Sequence, residues 1–437
     1  MKKIKLVIIG AGSSYMPELL EGIISNRIFA VYEIALVDIE SGMKNASIIL
    51  QLTKRMLKKA NNPAKVYLTL NRREALLNAD FVVTQVRVGG LDARIKDEKI
   101  PLRYNLIGQE TTGAGGFANA LRTVPVMVDI AHEMEEICPK AYLINFANPS
   151  GMVTQAVHMY SKINCVGLCN LPINIEREFC EYFNKKPEEI YVKMAGLNHL
   201  SFVTDVLIDG VSRMNELFEC GYFTKGLAHQ TMEVPSAYEL INSLRLIPTS
   251  YLQYFWFEQE KLSQMKADLE QGLGTRGEQV KQVEKELFEL YSDETVDEKP
   301  ALLEKRGGAL YSTAALNLIS ALLNPIPSMQ IVNTLNKGAV PNLPYDAIIE
   351  TNAHISNNGI HAIATDPLPP SVAPLVNLMK EYEIFACKAA MTGDRELAYL
   401  ALVNHPLVHG HQNAVRLVDD IIRENIEFLP NFQRISE

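Results

Sequence analysis

The first 170 residues alternate between strand-like and helix-like segments, and this rhythm limits the possible folds more than any other feature. Ile4–Ile9 is apolar apart from Lys5, and two glycines follow it closely. A near-continuous apolar run indicates a strand covered on both faces. Strands that alternate with helices in this way form a parallel, doubly wound α/β sheet. Five more strands are predicted in the same segment, at Glu33–Val37, Lys65–Leu68, Phe81–Val86, Tyr142–Phe146 and Cys165–Leu168.

A glycine-rich turn, Gly10–Tyr15, follows the first predicted strand and precedes a predicted helix at Pro17–Ile24. This is the context of a dinucleotide-binding fingerprint, in which glycines let the backbone approach a diphosphate at a helix N-terminus. The third glycine of the usual fingerprint is replaced by Tyr15. The alternative is a tight turn in a sheet that binds no nucleotide.

Asp38 ends the second predicted strand, where a carboxylate would bond the adenosine ribose. A carboxylate there repels a 2′-phosphate, so the sequence favours NAD over NADP. Cofactor contacts are expected from Gly10, Gly12, Ser13, Ser14 and Asp38.

The strand–helix rhythm changes after about residue 170. A strand is predicted at Phe202–Ile208, and the segments beyond it show mostly helical periodicity. The sequence therefore predicts an NAD-binding Rossmann-like domain at residues 1–170. A mixed, mainly helical α+β domain at residues 171–437 would serve substrate binding, catalysis and oligomerisation.

Composition disfavours several other classes of protein. Of the 437 residues, 47% are hydrophobic and 21% are charged, which is the balance of an ordinary globular protein. The formal net charge is −9, and no block of five or more Lys or Arg suggests a general nucleic-acid binder. No apolar run reaches the roughly 18 residues of a membrane-spanning helix. The six cysteines do not form two close pairs, so we expect reduced thiols in a cytoplasmic protein rather than a structural zinc site.

Polar residues also follow the later predicted strands, at the sheet edge where ligands bind. Arg87 and Arg94 could each clamp an anion, and we assign Arg87 to the cofactor; solvated surface arginines are the alternative. Glu110 lies in a glycine-dense stretch that is either a flexible loop or a ligand loop. Asn148 could bond a nicotinamide carboxamide or sugar hydroxyls, although Asn148-Pro149 also suits a turn.

A cysteine and a histidine about thirty residues apart, Cys169 and His199, could share a metal ion. Two protein ligands leave positions open for substrate, as in a catalytic site. The alternative is a small core cysteine and a hydrogen-bonded histidine. Tyr251 begins an aromatic-rich stretch that suits core packing, and it could act as a base only beside positive charge.

Taken together, these segments resemble glycoside hydrolase family four, the NAD- and metal-dependent glycosidases. The matching motifs run through the first two-thirds of the chain. Cys169-Asn170-Leu171-Pro172 is similar to the 6-phospho-β-glucosidase branch. The resemblance implies a lactate/malate dehydrogenase-like Rossmann half, NAD, a divalent metal that is usually Mn²⁺, and a homodimer or homotetramer. It also implies hydrolysis of 6-phospho-β-glucosides, such as cellobiose 6-phosphate, through C3 oxidation by NAD, C2 deprotonation, elimination and addition.

The resemblance also implies roles for particular residues. Asn170 stands where the 6-phospho-α-glucosidases have an acidic proton donor, so the leaving oxygen must be protonated by another group or water, or need little protonation. Cys169 and His199 match the metal ligands, Tyr251 the catalytic base, Glu110 a carboxylate that raises its basicity, and Arg94, Asn148, Asn170 and Arg276 the substrate contacts.

Three alternatives stay open. An NAD-dependent 2-hydroxy-acid dehydrogenase would share the Rossmann half, but it would leave Cys169, His199 and Glu110 without a role. A sensor of nucleotides or sugar phosphates would lack catalysis altogether. An α-linked or non-phosphorylated substrate would keep the same family chemistry.

Overall fold

The structure is a computed structural model that describes residues 2–220, 222–223, 231, 237–306 and 310–433. The described residues contain thirteen strands in one sheet. The strands are β1 (Lys2–Ile9), β2 (Phe29–Val37), β3 (Lys65–Thr69), β4 (Phe81–Thr84), β5 (Tyr142–Asn145), β6 (Asn164–Gly167), β7 (Ile190–Leu197), β8 (Leu200–Ile208), β9 (Val211–Ser212), β10 (Ile247–Pro248), β11 (Ser328–Leu335), β12 (Ile348–Ser356) and β13 (Gly359–Ala362).

The helices of the first half connect the parallel strands, and those of the second half pack around the extended sheet. No described helix is long and apolar enough to cross a membrane. The helices are α1 (Met16–Ser25), α2 (Met43–Lys59), α3 (Arg72–Leu76), α4 (Gly90–Leu102), α5 (Gly113–Ile137), α6 (Ser150–Tyr160), α7 (Asn170–Phe183), α8 (Met214–Glu219), α9 (Ala237–Leu244), α10 (Gln253–Trp256), α11 (Glu258–Glu270), α12 (Arg276–Ser292), α13 (Leu303–Arg306), α14 (Tyr311–Leu322), α15 (Ala373–Thr392), α16 (Arg395–Val403), α17 (His411–Asn425) and α18 (Pro430–Gln433).

The first half of the chain forms a parallel sheet with the strand order β3-β2-β1-β4-β5-β6. This is the order of a Rossmann fold, as the strand–helix alternation predicts. Predicted and observed strands differ mainly at their ends. For example, β2 begins at Phe29 rather than Glu33, and β4 ends at Thr84 rather than Val86.

The strands of the second half extend the same sheet instead of forming one of their own. β11 joins the edge of β6 through an antiparallel pairing of Asn333 with Gly167. β12, β7, β8 and β10 then follow in antiparallel order. The predicted strand at Phe202–Ile208 lies within β8. The sheet thus runs through the predicted boundary at residue 170, and the division into 1–170 and 171–437 stays a prediction.

Helices cover both faces of the sheet, and β1 shows why its sequence is apolar almost throughout. Leu6 and Ile8 belong to a core shared with α1, α2 and α14, whereas Val7 and Ile9 belong to a core shared with α5, α6 and α15. The one interruption, Lys5, places its Nζ 2.8 Å from a Glu33 carboxylate oxygen. The prediction of a strand covered on both faces is confirmed.

Candidate active site

Five parallel strands bring candidate residues to one edge of the sheet. The carboxyl ends of parallel strands form the ligand-binding edge of such folds, so these residues share a neighbourhood despite their distance in sequence. In the structure, Gly10 follows β1, Asp38 follows β2, Arg87 follows β4, Asn148 follows β5 and Cys169 follows β6.

The glycine turn is held closely against the sheet. Gly10 has a φ of +87°, and a Cβ at this position would lie 2.9 Å from the backbone of Gln85. The Gly12 N–H donates to Asp38 Oδ2 at 2.6 Å, so the carboxylate that ends β2 also positions the turn. A carboxylate can accept about four hydrogen bonds, so Asp38 keeps capacity for ribose hydroxyls.

The two predicted serine contacts differ in their surroundings. The Ser13 hydroxyl accepts a hydrogen bond from the Tyr15 N–H at 3.3 Å and stays partly exposed. The Ser14 hydroxyl is buried and donates to Glu284 on α12 at 2.9 Å. The side chain of Ser14 therefore ties α12 to the turn, and its predicted cofactor contact stays a prediction.

Glu110 lies between two guanidinium groups. Its carboxylate oxygens are 2.5 Å from an Arg87 nitrogen and 2.9 Å from an Arg94 nitrogen. Burial alone would raise the pKa of Glu110, but the positive charges of Arg87 and Arg94 outweigh it and lower the pKa to about 2. Arg94 also donates to Glu98 at 2.9 Å, so the cluster has two cations and two carboxylates.

Cys169 and His199 approach each other at the end of β6. Cys169 precedes α7, and His199 lies in the tight turn between β7 and β8 with a φ of +63°. The Cys169 Sγ is 3.7 Å from His199 Nε2, while Thr111 Oγ1 is 3.0 Å from the other ring nitrogen. The turn thus aims the imidazole at the thiol, and Thr111 orients the ring.

This pair suits a divalent metal ion. Burial lowers the pKa of His199 to about 4, which keeps the imidazole in the neutral form that ligates metals. Burial raises the pKa of Cys169 to about 12, and a bound cation would supply the charge that favours the thiolate. No group of three or more His, Cys, Asp or Glu suited to a metal occurs among the described residues. Two protein ligands leave coordination positions for a substrate.

Tyr251 lies directly against the pair formed by Cys169 and His199. Its ring stacks on the His199 imidazole with a centroid distance of 3.7 Å and an interplanar angle of 4°. Burial raises the pKa of Tyr251 well above its ordinary value, and the neighbouring Cys169 raises it further. The phenol could therefore act as a base only beside a positive charge, which a cation bound by Cys169 and His199 would supply.

Two further substrate candidates, Asn170 and Arg276, lie on different helices. Asn170 is the first residue of α7, and its carbonyl accepts a hydrogen bond from the Asn174 side chain at 2.7 Å. Arg276 is the first residue of α12; its guanidinium is exposed and contacts the Lys305 carbonyl at 3.4 Å. The next residue, Gly277, donates its N–H to Glu98 at 2.7 Å, which connects the start of α12 to the Arg94 pair.

Sequence reasoning missed several residues of this site. Glu350 on β12 is fully buried and accepts hydrogen bonds from Asn198 at 2.9 Å and Ser201 at 2.7 Å, so it holds the turn that carries His199. The sequence signal that could have revealed Glu350 is that it is the one carboxylate among the otherwise uncharged residues of β12. Tyr311 and Arg306 have no local signal, because they reach the glycine turn from the second half of the chain through contacts with Tyr15.

Comparison with known proteins gives the family of this chain. A model described as "Family 4 glycosyl hydrolase" matches residues 5–184, and one described as "Family 4 glycosyl hydrolase C-terminal domain" matches residues 194–408. The chain belongs to this family. The resemblance that the motifs indicate is therefore confirmed.

Individual relatives of this family are similar over nearly their full length. The chain is 44% identical to a probable 6-phospho-beta-glucosidase of Bacillus subtilis (strain 168), covering 99% of this chain and 98% of the relative. It is 41% identical to the 6-phospho-beta-glucosidase of Escherichia coli (strain K12), covering 99% and 97%. A solved 6-phospho-beta glucosidase from Thermotoga maritima, with manganese, NAD+ and glucose-6-phosphate, has a TM-score of 0.88 at 34% identity, covering 98% of this chain and 99% of that one.

More distant structures show the fold alone. The malate dehydrogenase of Cryptosporidium parvum has a TM-score of 0.50 at 16% identity, covering 90% of this chain and 99% of that one. The predicted dehydrogenase-like Rossmann fold is thereby confirmed for this member of family 4.

Proposed function

We propose that this chain is a 6-phospho-β-glucosidase that hydrolyses 6-phospho-β-glucosides to glucose 6-phosphate and an aglycone, using NAD and a divalent metal. The convergence of Cys169, His199 and Tyr251 at the sheet edge carries the proposal. It is supported by 44% and 41% identity over 99% of the chain to proteins named as 6-phospho-beta-glucosidases. A 2-hydroxy-acid dehydrogenase would leave this constellation unexplained.

The proposed mechanism differs from that of most glycosidases, which use two carboxylates. When bound, NAD⁺ supplies a hydride acceptor for C3 of the sugar and the divalent ion supplies a Lewis acid, and together they make the C2 proton acidic. Cys169 and His199 would hold the ion, and Thr111 orients the imidazole. Tyr251, as the phenolate that the charge of the bound ion would favour, would accept the C2 proton at its oxygen and later return it.

Other residues of the chain position the reacting groups. The glycine turn and Asp38, which are hydrogen-bonded to each other, would hold the adenosine half of the cofactor. Glu110 stays ionised between Arg87 and Arg94 beside the base. Asn148, Asn170 and Arg276 are the proposed sugar contacts. Because an amide cannot donate a catalytic proton, Asn170 orients the sugar, and the leaving oxygen takes its proton from water or another group.

A thiolate on Mn²⁺ joins a soft ligand to a hard ion, so we expect weak metal binding that is sensitive to oxidation. The substrate partner would be a phosphorylated disaccharide. The cytoplasmic location stays a prediction of the cysteine pattern, and the homodimeric or homotetrameric assembly stays a prediction of the family resemblance.

The test is release of nitrophenol from 4-nitrophenyl β-glucoside 6-phosphate with NAD⁺, Mn²⁺ and dithiothreitol, followed by omission of each in turn. We expect release to require NAD⁺ and metal, and to be absent with the α-anomer and with the unphosphorylated glucoside. Release in excess chelator would contradict the metal requirement. Net NADH production without nitrophenol would favour the dehydrogenase instead.

A pair of cysteine variants provides a matched comparison. Cys169→Ala removes a proposed metal ligand, and activity should fall by more than about a hundredfold. Cys165→Ala removes an equally small buried thiol four residues upstream in β6, and it should retain most of the activity. Equal losses in the two variants would mean that packing, not metal binding, explains the effect.

A further inference from the structure

Arg306, the last residue of α13, is a buried cation with too few partners. Its side chain is 8% exposed. Its guanidinium donates one hydrogen bond among the described residues, to the Tyr15 hydroxyl at 3.2 Å. The nearest carboxylate oxygen, on Glu284, lies 3.6 Å away, and the Arg306 Nε has no hydrogen-bond partner in the described part of the chain.

Such an arrangement is costly unless something else pairs with the cation. A guanidinium has five N–H donors, and buried donors left without partners cost free energy. Glu284 satisfies the charge of Arg306 only in part, because its carboxylate also accepts a hydrogen bond from the Ser14 hydroxyl at 2.9 Å. An anion bound beside Arg306 would account for the missing hydrogen bonds.

The position of Arg306 shows where such an anion would bind. Its guanidinium carbon lies 4.8 Å from the centroid of the Tyr15 ring, at the end of the glycine turn. Arg306 also contributes, after Arg87 and Arg94, to the lowered pKa of Glu110. The guanidinium therefore lies beside the glycine turn, and its charge reaches Glu110 of the Arg87–Glu110–Arg94 cluster.

The glycine turn itself has few free donors for an anion. The N–H groups of Gly10 and Ala11 both donate to the Val37 carbonyl, and that of Gly12 donates to Asp38. The Ser13 N–H donates back to the Gly10 carbonyl at 3.1 Å. A phosphate bound at this turn would need a cation from elsewhere in the chain.

We propose that Arg306 is a phosphate-binding residue of the active site. A guanidinium fork matches the geometry of phosphate oxygens, and Tyr15 holds the fork beside the glycine turn. Two phosphates would be within the same site, the diphosphate of NAD and the 6-phosphate of the sugar. The choice between these two sources rests on the proposed function, whereas the anion-binding role of Arg306 rests on its burial and missing partners.

The experiment measures dissociation constants by calorimetry for NAD⁺, and for glucose 6-phosphate in the presence of NAD⁺ and Mn²⁺. We compare the wild-type protein with Arg306→Gln and Arg306→Lys. Loss of a charged hydrogen-bond donor should raise one of the two constants by about tenfold to a hundredfold in Arg306→Gln. Arg306→Lys should give an intermediate value, because an ammonium keeps the charge but loses the fork.

Arg55→Gln is the matched control. Arg55 on α2 also holds the second half of the chain, through the Tyr291 carbonyl at 2.7 Å and the Val296 carbonyl at 2.6 Å. It lies outside the proposed site, so both dissociation constants should stay within about twofold of wild type. Equal weakening in Arg55→Gln and Arg306→Gln would assign Arg306 a packing role and overturn the proposal.

Each remaining outcome is decisive. A change confined to NAD⁺ identifies the diphosphate as the ligand, and a change confined to glucose 6-phosphate identifies the sugar phosphate. Two constants unchanged in Arg306→Gln overturn the proposal. If Arg306→Gln does not fold, Arg306→Lys decides, with a rise of about threefold or more expected and an unchanged constant contradicting it.

The outcome stays distinct from that of the proposed hydrolysis, because binding is measured without turnover. A wild-type protein that binds both molecules but releases no nitrophenol would overturn the hydrolysis alone. A wild-type protein that binds neither would overturn both proposals.

Discussion

At the residue scale, the surroundings of a side chain decide its charge, and Glu110 is the clearest case. An isolated buried carboxyl would be protonated more easily than one in water. Two guanidinium groups reverse this and lower the pKa of Glu110 to about 2, against an ordinary value of 4.5. This difference corresponds to about 3 kcal/mol in favour of the ionised form.

Glu110→Gln should therefore lower the free energy of unfolding by roughly 3 kcal/mol at pH 7, since it removes the carboxylate that Arg87 and Arg94 share and leaves Arg94 with Glu98 alone. Because the folded pKa is the lower one, this stabilisation is complete above about pH 5 and is lost as the pH falls towards 2. Urea unfolding of both proteins at pH 7 and pH 3 measures the difference, which should shrink at pH 3.

Glu133→Gln is the control for this prediction. Glu133 pairs with Arg72 at 2.6 Å through a similar carboxylate–guanidinium contact, but both side chains are more than one-fifth exposed. The expected loss is at most about 1 kcal/mol, as for other surface pairs. Equal stability of wild type and Glu110→Gln at pH 7 would contradict the account of the buried cluster.

At the scale of elements, the turn between β1 and α1 shows how local sequence and close packing act together. Gly10 needs a positive φ, and it also needs room, because the backbone of Gln85 lies where a Cβ would be. Gly210, between β8 and β9, shares the positive φ of +75°, but a Cβ there would meet no other described residue within 4 Å beyond its chain neighbours. A comparison of the two glycines therefore separates the effect of a positive φ, which both have, from the effect of close packing, which only Gly10 has.

Gly10→Ala should destabilise the protein by about 3 kcal/mol or more, and it should abolish detectable NAD⁺ binding, because the turn must move away from the sheet. Gly210→Ala should cost only about 1 to 2 kcal/mol, the cost of a left-handed conformation, and leave NAD⁺ binding unchanged. Calorimetric unfolding and NAD⁺ titration of both variants test this. Similar losses would mean that φ alone matters at Gly10.

At the scale of the whole molecule, the two halves of the chain share one sheet and its cores. β11 covers the edge of β6. Leu287 and Tyr291 of α12, with Ile319 of α14, belong to the core that packs on β1. The first half therefore depends on contacts from residues more than a hundred positions away.

We predict that residues 1–170 expressed alone do not unfold cooperatively, because the fragment would expose the β6 edge and the apolar face that α12 and α14 cover. The full chain should unfold in a single calorimetric transition, since each of the two cores contains residues from both halves of the chain. A fragment that unfolds cooperatively and binds NAD⁺ would contradict this prediction and support an independent domain ending at residue 170.

The sequence by itself determined the parts of this protein that depend on neighbouring residues. The continuous apolar run of β1, the glycines that follow it and the polar residues after each strand predict a Rossmann-like sheet and its ligand edge, because periodicity and backbone freedom are local properties. The motifs taken together likewise indicate the family, and the short stretch around Cys169 indicates the 6-phospho-β-glucosidase branch.

Only the tertiary structure decided which distant residues meet. The pairing of Glu110 with Arg87 and Arg94, the stacking of Tyr251 on His199 and the burial of Arg306 against Tyr15 join segments that are 16 to 291 positions apart. The same holds for β11, which joins the sheet of the first half at Gly167. Such contacts depend on how loops close and how faces pack, and the local pattern of the sequence does not contain that information.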